Sequence, residues 1–264
     1  MPRSKLMLQA LEAEQGEKLS ARELAGIAGS DPLLCLRLLR AAEEKRVRRL
    51  GHETTTPLAA VMQLGSDSFR TLLVESPETN ESDRGLAECE ARSNLAQQLG
   101  LRWGTARADI SPEEVAMAAL LSEIGELLLW LFAPDIPLKA LAAMHSGRSL
   151  RSVQAQVDTC GFRFKDLTLK LASIWNLPPL LTQLIRGIDN TRANLSRLCV
   201  DTARHLTSGG GLSDPALPSD IAEAKHIIPS ASLEWLAEQL PGIEEEQVAA
   251  IALKAADLLD PTHH

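Results

Sequence analysis

Signals that start and stop short helices recur along this 264-residue chain from end to end, and no segment alternates polar and apolar residues with a period of two. Ser20 and Glu23 have the spacing of a capping box, and Gly29 can close the short helix they open. Asp31-Pro32 supplies an N-cap and a first-turn proline for a helix from Leu33 to about Arg49, closed by Gly51. Thr56-Pro57 opens another that stops near Gly65, and Ser66 restarts the chain towards Phe69, Leu72 and Leu73. Ser111-Pro112-Glu113-Glu114 opens an apolar helix expected to run unbroken to Phe132, ahead of Pro134. These signals predict an all-α fold, a bundle of many short helices.

The side chains that could fill the core point the same way. Apolar residues make up 45% of the chain, yet aromatics only 3%, with no tyrosine, so the core must rest on Leu and Ala, which favour helices. A chain of this length buries roughly three-quarters of its extended surface, so no disulfide is needed to hold it. Cys35, Cys89, Cys160 and Cys199 are far apart and read as free thiols of a reduced cytoplasmic protein. The formal net charge of -8 disfavours nucleic acid and anionic lipid as partners. The most apolar stretch, Val115 to Phe132, contains Ser122, Glu123 and Glu126 and falls short of the ~20 apolar residues of a membrane span. It is expected to be a central core helix, with no membrane involved.

Breakers divide the chain. Ser76 to Gly85 is polar and reads as an exposed connection, separating an N-terminal helical subdomain, 1–75, from a larger one at 86–195. Helices are expected there over Leu86 to Leu99, about Leu138 to His145, Leu150 to Cys160, Asp166 to Trp175 and Pro179 to Ile188. A C-terminal extension, 196–264, follows, with a helix from Asn194 to Leu206 leading into it. Its longest breaker-rich segment, Ser208 to Ser219, lacks the strand and lysine of a phosphate-binding loop and is expected to be a mobile connector. Three further helices should lie around Ile221 to Ile227, Ser232 to Gln239 and Glu245 to Leu259.

Four stretches together resemble the HDOD domain, a relative of the HD-domain phosphohydrolases. They are Ser30-Asp-Pro-Leu-Leu-Cys-Leu-Arg-Leu-Leu-Arg40, Thr55-Thr-Pro-Leu-Ala-Ala-Val-Met-Gln-Leu-Gly65, Ala118-Ala-Leu-Leu-Ser-Glu-Ile-Gly125, and Gly161-Phe162 leading into Ile174-Trp-Asn-Leu-Pro178. The resemblance spans about residues 10 to 195 and implies an HD-like helical fold with an N-terminal helical subdomain.

The same resemblance implies where a metal site would lie, and the residues there are wrong for one. HD enzymes place histidines and aspartates at helix ends to hold metal ions that activate water and neutralise a phosphoryl group. Where the parent family has His-Asp, this chain reads Ser122-Glu123, and the neighbouring ligand positions fall near Arg92 and Phe164. Arginine and phenylalanine cannot ligate a metal. Ser122, Glu123, Glu126 and Arg92 are therefore read as a remnant cleft, with Glu123 the one carboxylate at a ligand position, and neither metal nor other cofactor is expected. Glu126 and the other polar groups of this helix need hydrogen-bond partners, for which nearby arginines are the natural source. Independently, His52, His145, His205 and His226 lie in separate elements without metal-ligand spacing and read as surface or helix-end residues. His263 and His264 resemble the end of a purification tag and are not read as ligands.

Lys45, Arg46, Arg48 and Arg49 end a helix, where cations complement the C-terminal dipole and could also form a docking patch for an acidic partner. Glu43-Glu44 stands where the family usually has Asn-Ser, a departure at this corner. The resemblance implies a non-catalytic regulatory role in bacterial signal transduction, exercised through contacts with a protein partner. The alternatives are a divergent metal-dependent phosphohydrolase and a sensor of cyclic dinucleotides or other nucleotides. The all-α expectation itself is checked by far-ultraviolet circular dichroism: the helical double minimum should dominate, and a spectrum without it would refute the fold class.

Overall fold

A computed structural model describes residues 2–15, 19–47, 53–76, 83–149, 151–188 and 190–260. Arg48, Arg49, Gly51, His52, most of the polar connection at 76–85, and the terminal histidines lie outside the described residues. Within them the chain is helical and no strand occurs. The N-terminal helices are α1 Pro2–Gln15, α2 Ala21–Gly29, α3 Pro32–Val47, α4 Pro57–Leu64 and α5 Ser66–Val74. Then come α6 Arg84–Gly104, α7 Pro112–Leu121, α8 Ile124–Phe132, α9 Asp135–His145, α10 Ser152–Cys160, α11 Phe164–Ile174 and α12 Pro179–Arg186. The last are α13 Thr191–Leu206, α14 Leu217–Ile227, α15 Leu233–Glu238 and α16 Glu245–Leu259, with one 3₁₀ turn at Gly211–Ser213.

The capping chemistry is local and is found where the sequence puts it. Ser20 accepts from the Glu23 amide while the Glu23 carboxylate accepts from the Ser20 amide, so both halves of the capping box on α2 form. Asp31 Oδ1 accepts from the amides of Leu33 and Leu34 at 3.1 and 2.9 Å and starts α3. Thr56 caps α4 ahead of Pro57. The other carboxylate oxygen of Asp31, Oδ2, accepts from Ser4 Oγ at 2.6 Å in the interior and so fastens α1. That helix is absent from the sequence expectation; it has neither an acidic first turn nor a basic last turn.

The chain forms two compact units, each discontinuous in sequence. One comprises residues 1–94 and 121–182, the other 95–120 and 183–264. α6 and α7 each contribute residues to both units. In the first unit α2, α3 and α4 pack together, and α8 packs on α9 and α11 with α10 against α9. Leu129, Ala140, Ala143, Ala155 and Phe164 form one of its apolar clusters. In the second, α14 packs on α13, α15 and α16 around Leu99, Trp103, Leu198, Ile221, Leu236 and Ile251. Trp103 is fully buried, and its indole N–H donates to the Leu236 carbonyl at 3.0 Å, so the largest core side chain leaves no polar atom unpaired.

Two expected elements are corrected. The long helix from Pro112 stops at Leu121 and restarts at Ile124, with Ser122 and Glu123 between. Thr168 bridges the break: its hydroxyl donates to the Ser122 carbonyl at 3.2 Å and accepts from the Gly125 amide at 3.0 Å, standing in for helical pairing at the junction. Pro112–Phe132 has the length and apolarity to cross a bilayer, but 72% of its most apolar window is buried in the fold, as for a core segment. The loop at Ser208 to Ser219 is also shorter than expected, since Leu217 already begins α14 with Pro218 in its first turn. Ser208 Oγ donates to Asp214 at 2.5 Å and accepts from the Gly210 amide, so the remaining turn has its own hydrogen bonds.

His205, read as a surface or helix-end residue, lies in the last turn of α13, is half-buried, and hydrogen-bonds through Nδ1 to the buried Asp220 at 2.7 Å, joining α13 to α14. Burial raises the Asp220 carboxyl above its ordinary range, and the hydrogen bond and charge of His205 offset only part of that. A carboxyl whose folded pKa is raised adds stability below its unfolded pKa and loses it as pH rises through the folded value. Thermal melts should therefore show the wild type losing Tm more steeply than Asp220→Asn as pH climbs through and just above the carboxylate range. Parallel pH profiles would refute this assignment.

Candidate functional site

The site grows from three consecutive turns of α6 and the junction that opens α8. Cys89 and Arg92 are one turn apart on α6 and so share a face. Glu123 is the N-cap residue of α8 and Glu126 lies in its first turn, where the positive end of the helix dipole favours carboxylates. The Glu123 side chain does not cap its own helix. It accepts instead from Arg92 Nε at 2.5 Å, while Arg92 Nη2 donates to Glu126 Oε1 at 2.9 Å and reaches Cys89 Sγ at 3.4 Å. Trp130, one turn beyond Glu126, points its indole N–H at the same carboxylate at 3.5 Å.

These groups sit at the edge of the interior. The Glu123 side chain is 3% exposed, and those of Arg92 and Glu126 are 18% and 17% exposed. Burial pushes the Arg92 guanidinium down, but the charges of Glu123 and Glu126, with Cys89 beside them, outweigh it and hold the net shift upward. The group is a permanent cation inside a pair of carboxylates.

Two close approaches fix this arrangement. A Cβ on Gly85 would fall 2.4 Å from the Trp130 ring, so the start of α6 can lie against that indole only as glycine. A Cβ on Gly125 would meet the Phe164 carbonyl at 2.6 Å and the Thr168 amide and hydroxyl at 2.8 Å, where α8 and α11 touch backbone to backbone.

The structure thus brings together three of the four residues expected in the remnant cleft, Arg92, Glu123 and Glu126. Ser122 enters through its carbonyl, held by Thr168. Phe164 takes no part through its side chain, which is buried in the apolar cluster around Leu129, while its amide donates to Gln156 at 2.9 Å. The acidic content is larger than expected: the ligand-type atoms of Cys89, Glu123 and Glu126 all lie within 4.8 Å of one another. Cys89 escaped sequence reasoning, and its one-turn spacing from Arg92 was the available signal. The basic helix end is also more engaged than a free docking patch. Lys45 Nζ donates to the Gln63 and Leu64 carbonyls at 2.8 and 3.2 Å, capping α4. Arg46 pairs with Glu43 at 2.6 Å, and the buried Glu43 also accepts from the Thr54 amide at 2.9 Å, which gives the Glu43-Glu44 departure a structural use.

A family model for the HDOD domain matches residues 2–191, and the chain belongs to this family. Among solved structures, a virulence factor from Campylobacter jejuni subsp. jejuni is 17% identical with a TM-score of 0.70, covering 94% of this chain and 93% of its own. The MmoQ response regulator from Methylococcus capsulatus str. Bath is 18% identical with a TM-score of 0.63, covering 94% of this chain and 96% of its own. Both share the fold. No curated protein matches the chain.

HD-type relatives imply a divalent metal at this place in the fold, and the residues present do not fit one. Two carboxylates and a thiol could serve as donors, but Arg92 already spends its N–H groups on all three. A guanidinium cannot ligate, and its charge repels a second cation. The close contact at Gly125 yields a direct prediction for the frame of the site. Gly125→Ala should cost about 1–3 kcal/mol, since backbone at Phe164 and Thr168 must move to admit the methyl. Urea denaturation measures this, and an unchanged midpoint would show that the two helices do not bear on each other there.

Proposed function

We propose that this HDOD chain is a non-catalytic regulatory module of bacterial signal transduction that works through contacts with a protein partner in the cytoplasm. One observation carries the reading: the Arg92 guanidinium lies 2.5 and 2.9 Å from Glu123 and Glu126, where a hydrolase would need an open metal position. A metal-bound hydroxide requires a Lewis acid with a free coordination site, and a guanidinium has none. The similarity to a protein named as a response regulator agrees with a signalling role, although at 18% identity the shared property is the fold. The charge of -8 supports a protein partner over nucleic acid or an anionic membrane.

The test uses tag-free protein purified without chelators. Elemental analysis should find no stoichiometric metal, and added manganese, iron or nickel should produce no phosphodiester hydrolysis above buffer. Stoichiometric metal with turnover that Glu123→Ala abolishes would overturn the proposal in favour of a divergent phosphohydrolase. Calorimetric titration with cyclic dinucleotides should likewise show no heat of binding, and saturable heat at one site per chain would make the protein a nucleotide sensor instead.

A further inference from the structure

We infer that α9 and α10 form a docking surface for an amphipathic helix of a partner protein, one that presents an apolar strip flanked by carboxylates. This rests on, and deepens, the reading of the chain as a module that works through protein contacts. Along α9, Leu138, Leu141 and Met144 each follow one of the buried Pro137, Ala140 and Ala143, so a row of large apolar side chains runs beside the row that faces the core. Along α10, Val153 and Val157 stand one turn apart and make a second row. All five are between 36% and 51% exposed, while the two helices pack against each other and share one apolar cluster through Ala140, Ala143 and Ala155. A single exposed leucine needs no explanation, but ordered rows on two packed helices are the pattern that receives an apolar helix face.

The charge around these rows selects the partner. The chain holds 35 acidic residues among 264, yet the 22 residues between Asp135 and Asp158 contain none, and their charged groups are Lys139, Arg148 and Arg151, all exposed, with His145 also exposed. Asp158, which ends the run, is engaged by neutral donors, Gln154 at 2.6 Å and Ser149 at 3.3 Å. Three positive charges gathered on a molecule of net charge -8 attract carboxylates placed beside an apolar strip and oppose a basic partner. The same net charge weighs against two other occupants, an anionic membrane and a second copy of this acidic chain. At the basic end of α3, by contrast, Lys45 and Arg46 are engaged within the fold.

The test uses tag-free full-length protein and two synthetic peptides of about 18 residues, five helical turns. Both carry leucine at helical spacing; one flanks it with glutamate, the other with lysine. In fluorescence anisotropy the glutamate peptide should bind saturably, one per chain, and the lysine peptide should bind about tenfold more weakly or not at all. Leu141→Gln combined with Val157→Gln should remove binding of the glutamate peptide at unchanged Tm, because both side chains are partly in solvent. Lys139→Glu combined with Arg151→Glu should invert the preference between the peptides, and this variant decides the outcome if the glutamine variant does not fold. The inference is overturned if neither peptide binds, if the two bind equally, if the glutamine variant binds as the wild type does, or if the charge-reversed protein keeps the wild-type preference. It is also overturned if the wild type forms a dimer that Leu141→Gln dissolves, which gives the surface to a second copy, or if it binds phosphatidylserine vesicles and not the glutamate peptide, which gives it to a membrane. None of these measurements reads metal or turnover, so failure here leaves the non-catalytic reading to its own test.

Discussion

A guanidinium cannot shed its charge at any pH a protein experiences, so wherever one is placed below the surface the surrounding structure must answer it. Here Arg92 is answered by Glu123 and Glu126, and much of the local architecture follows from holding those two carboxylates in place. Glu123 is available because the helix expected to run through it is broken there, which frees its side chain to leave the helix axis. The break in turn depends on Thr168, whose hydroxyl satisfies Ser122 and Gly125, and Thr168 can approach only because residue 125 has no Cβ. A chain of four local facts thus ends in one ion-pair fork between α6 and α8.

Legibility in the sequence divides along the same line. Ser20, Thr56 and Ser232 could be read as helix starts because each caps an amide three residues away, and nothing distant enters. The break at Ser122–Glu123 could not, because its cause lies 46 positions downstream, in a threonine whose own surroundings read as an ordinary helix. Helix α1 was missed for a related reason: its first turn carries no acid and its last no base, and it is tied down by Ser4 reaching Asp31, 27 residues on. Within the site, the family pattern singled out Arg92 and Glu123, and the need of Glu126 for a cation was clear from its apolar setting. That Arg92 reaches both carboxylates, and that Cys89 joins them, are facts of helix placement across 31 and 34 positions, beyond the reach of any local pattern.

Histidines illustrate the limit from the other side. His145 and His226 are exposed in the last turns of α9 and α14, where a helix end favours a cation. His205 occupies the same kind of position in α13 and has the same local sequence reading, yet it is drawn inward by Asp220 on α14. Sequence position assigned all three to helix ends and could not say which end faced a buried acid.

The fork also bears on what a cation does at this place in the fold. A divalent ion at helix ends does two separable things: it neutralises carboxylates, which the fold needs, and it offers an open coordination position to water, which only chemistry needs. A guanidinium performs the first and is incapable of the second. Its hydrogen bonds to Glu123, Glu126 and Cys89 are directional, so it ties α8 to α6 at this point. This cation is carried by the chain itself, on α6.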